Sequence, residues 1–227
     1  MNRASLSTLA AAAGALLIVM VRAGEVETGS ASHGREIYDK SGCVRCHAAS
    51  IAEDRSEGGP VRAGHPLEGA AYRGTWWNGR ITTDAAEASD FCRRTFLDPN
   101  NDEGFTTPER KALVLFMQEL GSDYGISPLT LLRRDAGDVD LRDGNAGRGK
   151  DLYRRACLAC HAAEDSDRAD AELRKMAEAL SPAQIAQVIR VGKGTMPFFQ
   201  VDRLTATQVA DIATYMESVK EAAASRR

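Results

Sequence analysis

Cys43-Val44-Arg45-Cys46-His47 and Cys157-Leu158-Ala159-Cys160-His161 decide how this chain is read. Each is C-x-x-C-H, the spacing in which two thiols can add to the two vinyl groups of one haem while the following imidazole ligates the iron. A two-residue loop holds both sulfurs along one porphyrin edge, and the next side chain then lies under the metal. Two other readings use the same cysteines. A zinc site built from both C-x-x-C pairs leaves the two matching histidines without a role. A dithiol redox pair wants a βαβ surround, and neither pair has one. The chain has five cysteines and four histidines, so the two motifs take most of both. The expected cofactors are two covalently bound haem c groups, held by Cys43, Cys46, Cys157 and Cys160, with His47 and His161 on the irons.

Working outward, the two motifs sit in an internal repeat. His33-Gly34-Arg35-Glu36-Ile37-Tyr38 leads into the first, and Arg148-Gly149-Lys150-Asp151-Leu152-Tyr153 leads into the second. The far ends repeat as well. Thr106 precedes Ala112, Leu113, Phe116 and Met117, and Thr205 precedes Val209, Ile212, Tyr215 and Met216. In each case a threonine is placed to cap a helix whose apolar residues recur at helical spacing. Met117 and Met216 fall on that apolar face and read as core. The pattern predicts an all-α fold: two tandem small helical domains, each wrapped around one covalent haem. The expected boundaries are 31–121 and 145–220, joined by a linker over 122–144 that is rich in glycine and charge.

This order of elements resembles the class I cytochrome c domain. The resemblance implies that the first and last helices of each half cross at a close backbone contact, with Tyr38 on Phe116 and Tyr153 on Tyr215. Gly64-His65-Pro66-Leu67-Glu68-Gly69 is similar to the stretch in which a proline carbonyl orients the proximal imidazole, which implies that Pro66 does so for His47. Gly192-Lys193-Gly194-Thr195-Met196-Pro197 resembles the methionine loop of that family, which implies Met196 as the sixth ligand of the second iron.

The first half has no such loop. Asp84 to Arg94 reads as a helix, and Cys92 on it is the one cysteine outside the motifs. Flanking Arg93 and Arg94 are expected to favour its thiolate, the form that binds metal. Here the chain resembles the Sox-system A subunits and the dihaem thiosulfate dehydrogenases, in which a helix cysteine is a haem ligand; that implies Cys92 as the sixth ligand of the first iron. A buried inert cysteine, His65 as ligand and a five-coordinate iron are the competing readings. The Arg73–Arg80 insert carries Trp76-Trp77. Its arginines either neutralise haem propionates or, with Arg93, hold a sulfur oxyanion beside Cys92.

The chain has 227 residues, a formal net charge of -3 and 27% charged residues. That balance suits a soluble globular protein and gives no electrostatic footprint for nucleic acid. Each half is small for a self-sufficient apolar core, so a porphyrin filling its centre is a plausible supplement. Asn2-Arg3, an apolar run from Leu6 to Val21, and Ala23 read as a signal peptide over 1–23, or as an uncleaved N-terminal anchor. Either way the expected location is periplasmic. The first functional expectation is electron transfer from a His/Cys-ligated haem to a His/Met-ligated haem, between small donor and acceptor cytochromes. The alternative is an enzyme resembling thiosulfate dehydrogenase, which would form tetrathionate at the first haem, with Cys92 and Arg93 as catalytic candidates.

Overall fold

A computed structural model describes residues 29–77, 81, 84–100, 102–121, 135–161 and 166–225. The N-terminal segment 1–23 and most of the linker lie outside these residues. The described residues are helical, with only two isolated bridges, Trp76–Ile81 and Lys193–Met196, in place of strands. The all-α expectation is met. Among the described residues no helix is long and apolar enough to cross a membrane.

The first half holds α1 (Ala31–Lys40), α2 (Cys43–Cys46), α3 (Ile51–Asp54), α4 (Ala85–Cys92) and α5 (Thr107–Leu120). The second holds α6 (Ala146–Ala156), α7 (Leu158–His161), α8 (Ser166–Ala179), α9 (Pro182–Val191) and α10 (Ala206–Ala224). The threonine caps are where the sequence puts them. Glu109 accepts from the backbone N–H of Thr106 at 2.7 Å, and Gln208 accepts from that of Thr205 at 2.9 Å. Each pairing satisfies amides that the first helical turn leaves open.

The repeat folds alike. In each half the helix leading into the motif crosses the last helix, α1 on α5 and α6 on α10. The crossings are tight because glycine sits at each: a Cβ at Gly34 would lie 2.0 Å from the Ala112 carbonyl oxygen, and one at Gly149 would lie 1.9 Å from that of Asp211. Beside them Tyr38 and Phe116 pack with ring centroids 5.4 Å apart, and Tyr153 and Tyr215 at 5.8 Å. Met117 and Met216 are buried at 4% and 6% exposure, as core residues should be. Asp211 is itself buried, and Arg148 binds both its oxygens at 2.7 and 2.8 Å, so its charge is compensated.

The halves are joined by more than a linker. Arg203 reaches from the second half to both oxygens of Asp54, at 2.5 and 2.7 Å, and donates to the Arg62 carbonyl at 2.9 Å. Arg155 donates to the Gly59 carbonyl at 2.7 Å, and Val61 N–H to the Arg155 carbonyl at 3.1 Å. His65 Nε2 lies 2.8 Å from Asp202. Burial pushes the Asp54 carboxyl up, but the Arg203 hydrogen bonds and charge outweigh that and hold it below the usual carboxylate range. A depressed carboxylate stabilises the fold above its unfolded value, roughly 3.9, and the contribution is lost as pH falls through the folded value. Below about pH 4, melting temperature should therefore fall more steeply in the native protein than in Asp54→Asn, as read by calorimetry across pH 5 to 3.

Candidate functional site

Cys43 and Cys46 open and close the single turn of α2, entered through Gly42 in the left-handed region at φ 87. That turn puts both sulfurs on one wall of a cavity and hands His47 to its floor. The cavity is lined by Cys43, Cys46, His47 and Cys92, with Trp76, Trp77, Leu113 and Met117 among its apolar walls. The imidazole is fixed. Its Nδ1–H donates to a backbone carbonyl at 2.7 Å, which commits the tautomer and leaves the Nε2 lone pair for a metal. That carbonyl belongs to His65, one residue before the expected Pro66. Burial holds the His47 imidazole below its usual value, in the neutral form a ligand needs. Tyr38 donates its hydroxyl to the His47 carbonyl at 2.6 Å. A Cβ at Gly64 would lie 2.3 Å from the imidazole Cε1, so only glycine lets the chain pass that close.

Cys92 ends α4, and the chain then widens into a π-helical turn over Arg93–Leu97. Such turns re-aim side chains and are frequent at functional sites. Trp77 is wedged there with a left-handed backbone (φ 52), its ring 4.9 Å from Phe91 and 5.8 Å from Phe96. A non-glycine residue held in that region is strained, and such strain clusters at binding sites. Burial pushes the Cys92 thiol up to about 12. The expected help from its neighbours is missing: Arg93 donates to the Gly104 carbonyl at 2.9 Å and lies over the Phe105 ring at 4.7 Å. Arg93 is not among the residues lining the cavity, and Arg80 lies outside the described residues. Only a cation bound inside the cavity could draw the thiolate out, as metals do for coordinating thiols.

The cavity suits a flat apolar macrocycle with an anionic edge. Among the described residues, Arg73 is its one guanidinium, and Arg73 Nε is buried there without a hydrogen-bond partner. An orphaned guanidinium N–H in an apolar slot is matched by a carboxylate such as a haem propionate. Two thiols, one oriented imidazole, one sulfur facing the same space and one unspent cation fit haem c. When bound, that group supplies a one-electron Fe(III)/Fe(II) couple.

In the second half, Cys157 caps α6 and is half-buried, Leu158 to His161 form α7, and Cys160 is exposed. Met196 lies on the loop after α9. Gly192 and Gly194 turn that loop at φ 71 and 59, and Lys193 and Met196 exchange backbone hydrogen bonds at 3.2 and 3.0 Å. The Met196 side chain packs partly buried against the second core. One arrangement has no signal in either motif. Pro197, Phe198 and Gln200, which follow Met196, complete the wall of the first cavity.

Residues 144–216 match the family described as cytochrome c oxidase, cbb3-type, subunit III. Over 195 residues the chain is 28% identical to the cytochrome bc1 complex cytochrome c subunit of Mycobacterium bovis, covering 83% of this chain and 63% of that one. The protein of the same name from Corynebacterium diphtheriae is 27% identical over 207 residues, covering 83% of this chain and 66% of that one. The chain thus spans just under two thirds of the length of the curated relatives it matches. No solved structure matches it significantly. The names of these relatives carry no sulfur chemistry. Residues 144–216 are thus similar to a cytochrome c-type family domain, and the curated relatives that the chain resembles are named as cytochrome c subunits.

Proposed function

We propose that this is a dihaem c-type cytochrome that passes single electrons from a first haem, ligated by His47 and Cys92, to a second, ligated by His161 and Met196. One observation carries the reading: His47, oriented for a metal through its Nε2, shares a cavity with Cys92 and with both thiols of its own motif. A thiolate ligand stabilises the ferric state and a thioether the ferrous state, so electrons run from the first site to the second. The two domains would span 31–121 and 145–220 around a linker at 122–144. The N-terminal segment would carry the body to the periplasm, where covalent attachment takes place. The names of the relatives suggest a place as the cytochrome c subunit of a bc1-type complex, with donor and acceptor redox proteins on either side.

Mass measurement of the intact protein should show two haems per chain. Cys92→Met should abolish the thiolate-type low-spin signal in the EPR spectrum of the oxidised first site and leave the second-site signal in place. An unchanged first-site spectrum removes Cys92 from the iron.

A further inference from the structure

The carbonyl that orients His47 sits on a peptide unit with no donor of its own. His47 Nδ1–H donates to the His65 oxygen at 2.7 Å. That oxygen belongs to the peptide joining His65 to Pro66, and proline brings no N–H to anchor it. The chain is pinned on either side, by Gly64 N–H on the Cys46 carbonyl at 2.8 Å and by Leu67 N–H on the Ala48 carbonyl at 2.9 Å. Between those pins, a residue before proline keeps an extended backbone with a spread of about 40° in ψ, and turning ψ swings the carbonyl. The His65 side chain supplies the missing constraint. It is 17% exposed, and its Nε2–H donates to Asp202 at 2.8 Å, since a carboxylate only accepts.

Asp202 belongs to the second half and rides on a braced turn. The N–H groups of Arg203 and Leu204 both donate to the Gln200 carbonyl at 3.0 Å. Arg190, 1% exposed, donates to the carbonyls of Phe199 and Leu204 at 3.3 and 2.7 Å, and so grips both ends of the turn. Arg203, next in the chain, binds Asp54 across the seam. The same stretch brings Pro197, Phe198 and Gln200 to the first cavity. The acceptor for His65 is therefore held firmly, and from the opposite half.

We propose that Asp202 is a positioning residue for the first site. It holds the His65 ring, the ring fixes the His65 backbone, and the His65 carbonyl sets the orientation and basicity of the His47 imidazole. The second half thereby tunes the ligand of the first. The proposal rests on the reading of His47 as an iron ligand. A well-aimed acceptor at Nδ1–H makes Nε2 a stronger donor to a metal, and a loosened one makes it weaker, which favours ferrous over ferric iron.

The test compares Asp202→Ala with Asp202→Asn in the intact holoprotein, by potentiometric titration and by EPR of the oxidised protein. Both variants remove the negative charge, and only asparagine keeps an oxygen that can accept from His65. The Asp202 side chain is 58% exposed, so both variants should fold. Asp202→Ala should raise the first-site midpoint potential and shift and broaden the first-site EPR signal, with the second-site signal and midpoint unchanged. Asp202→Asn should restore the native first-site signal. A first-site signal and midpoint in Asp202→Ala equal to the native ones overturn the proposal. So does an equal change in the two variants, which marks an effect of charge and not of position. An intact mass without haem on Cys43 and Cys46 overturns the ligand reading itself, and is seen before any spectrum is recorded.

Discussion

Met196→His should lower the reduction potential of the second site by on the order of a few tenths of a volt, within the range over which axial ligands set haem potentials. The substitution exchanges a neutral, soft thioether, which favours ferrous iron, for an imidazole that donates more strongly to the ferric state. The loop should survive the change. Its shape comes from the left-handed turns at Gly192 and Gly194 and from the paired backbone bonds of Lys193 and Met196, none of which needs the methionine side chain. The potential of the first site should move little, and the expected downhill order of the two sites should shrink or reverse. Potentiometric titration followed optically reads both at once. A second-site potential that stays where it was shows that the sulfur of Met196 is not on the iron.

Gly149→Ala should cost about 3 kcal/mol of stability, near the upper end for forcing atoms into a packed interior, and Gly34→Ala should cost about as much. At Gly149 the added Cβ would sit 1.9 Å from the Asp211 carbonyl oxygen, 2.5 Å from its carbon and 2.8 Å from the Tyr215 Cβ. The first two are main-chain atoms of α10 and the third is fixed directly to its backbone, so the clash is relieved only by parting the two helices. Parting them pulls Arg148 from buried Asp211 and Tyr153 from Tyr215. The higher helix propensity of alanine returns only about 1 kcal/mol. Lys150→Ala, on the exposed side of the same helix, should change little. Chemical denaturation of the holoprotein separates the three variants. Equal stability of Gly149→Ala and Lys150→Ala would contradict the close crossing.

What the sequence made legible was local. The C-x-x-C-H motifs, the capping threonines Thr106 and Thr205, the crossing aromatics and the helix bearing Cys92 each declare themselves within a few residues. The acceptor for His47 was placed one residue late, because a backbone carbonyl leaves no side-chain signature and His65 and Pro66 are equally able to offer one. The direction of Arg93 was hidden for a related reason. Nearness in sequence to Cys92 says nothing about direction once the helix widens into a π-turn, which sends the guanidinium to Gly104 and Phe105. Most hidden were contacts between the halves. Asp54 and Arg203 are 149 positions apart, and nothing in either neighbourhood names the other. The shared wall at Phe198 is of the same kind, since a methionine loop read alone belongs to its own domain.

The Asp54–Arg203 pair has a further consequence for how the halves meet. Both side chains are nearly sealed from water, at 8% and 11% exposure, and a sealed charge that loses its partner is costly, whereas the intact pair adds little net stability. Such a pair penalises every misplacement without much rewarding the correct fit. The halves should accordingly mate in one alignment or come apart, with no ladder of half-docked arrangements between.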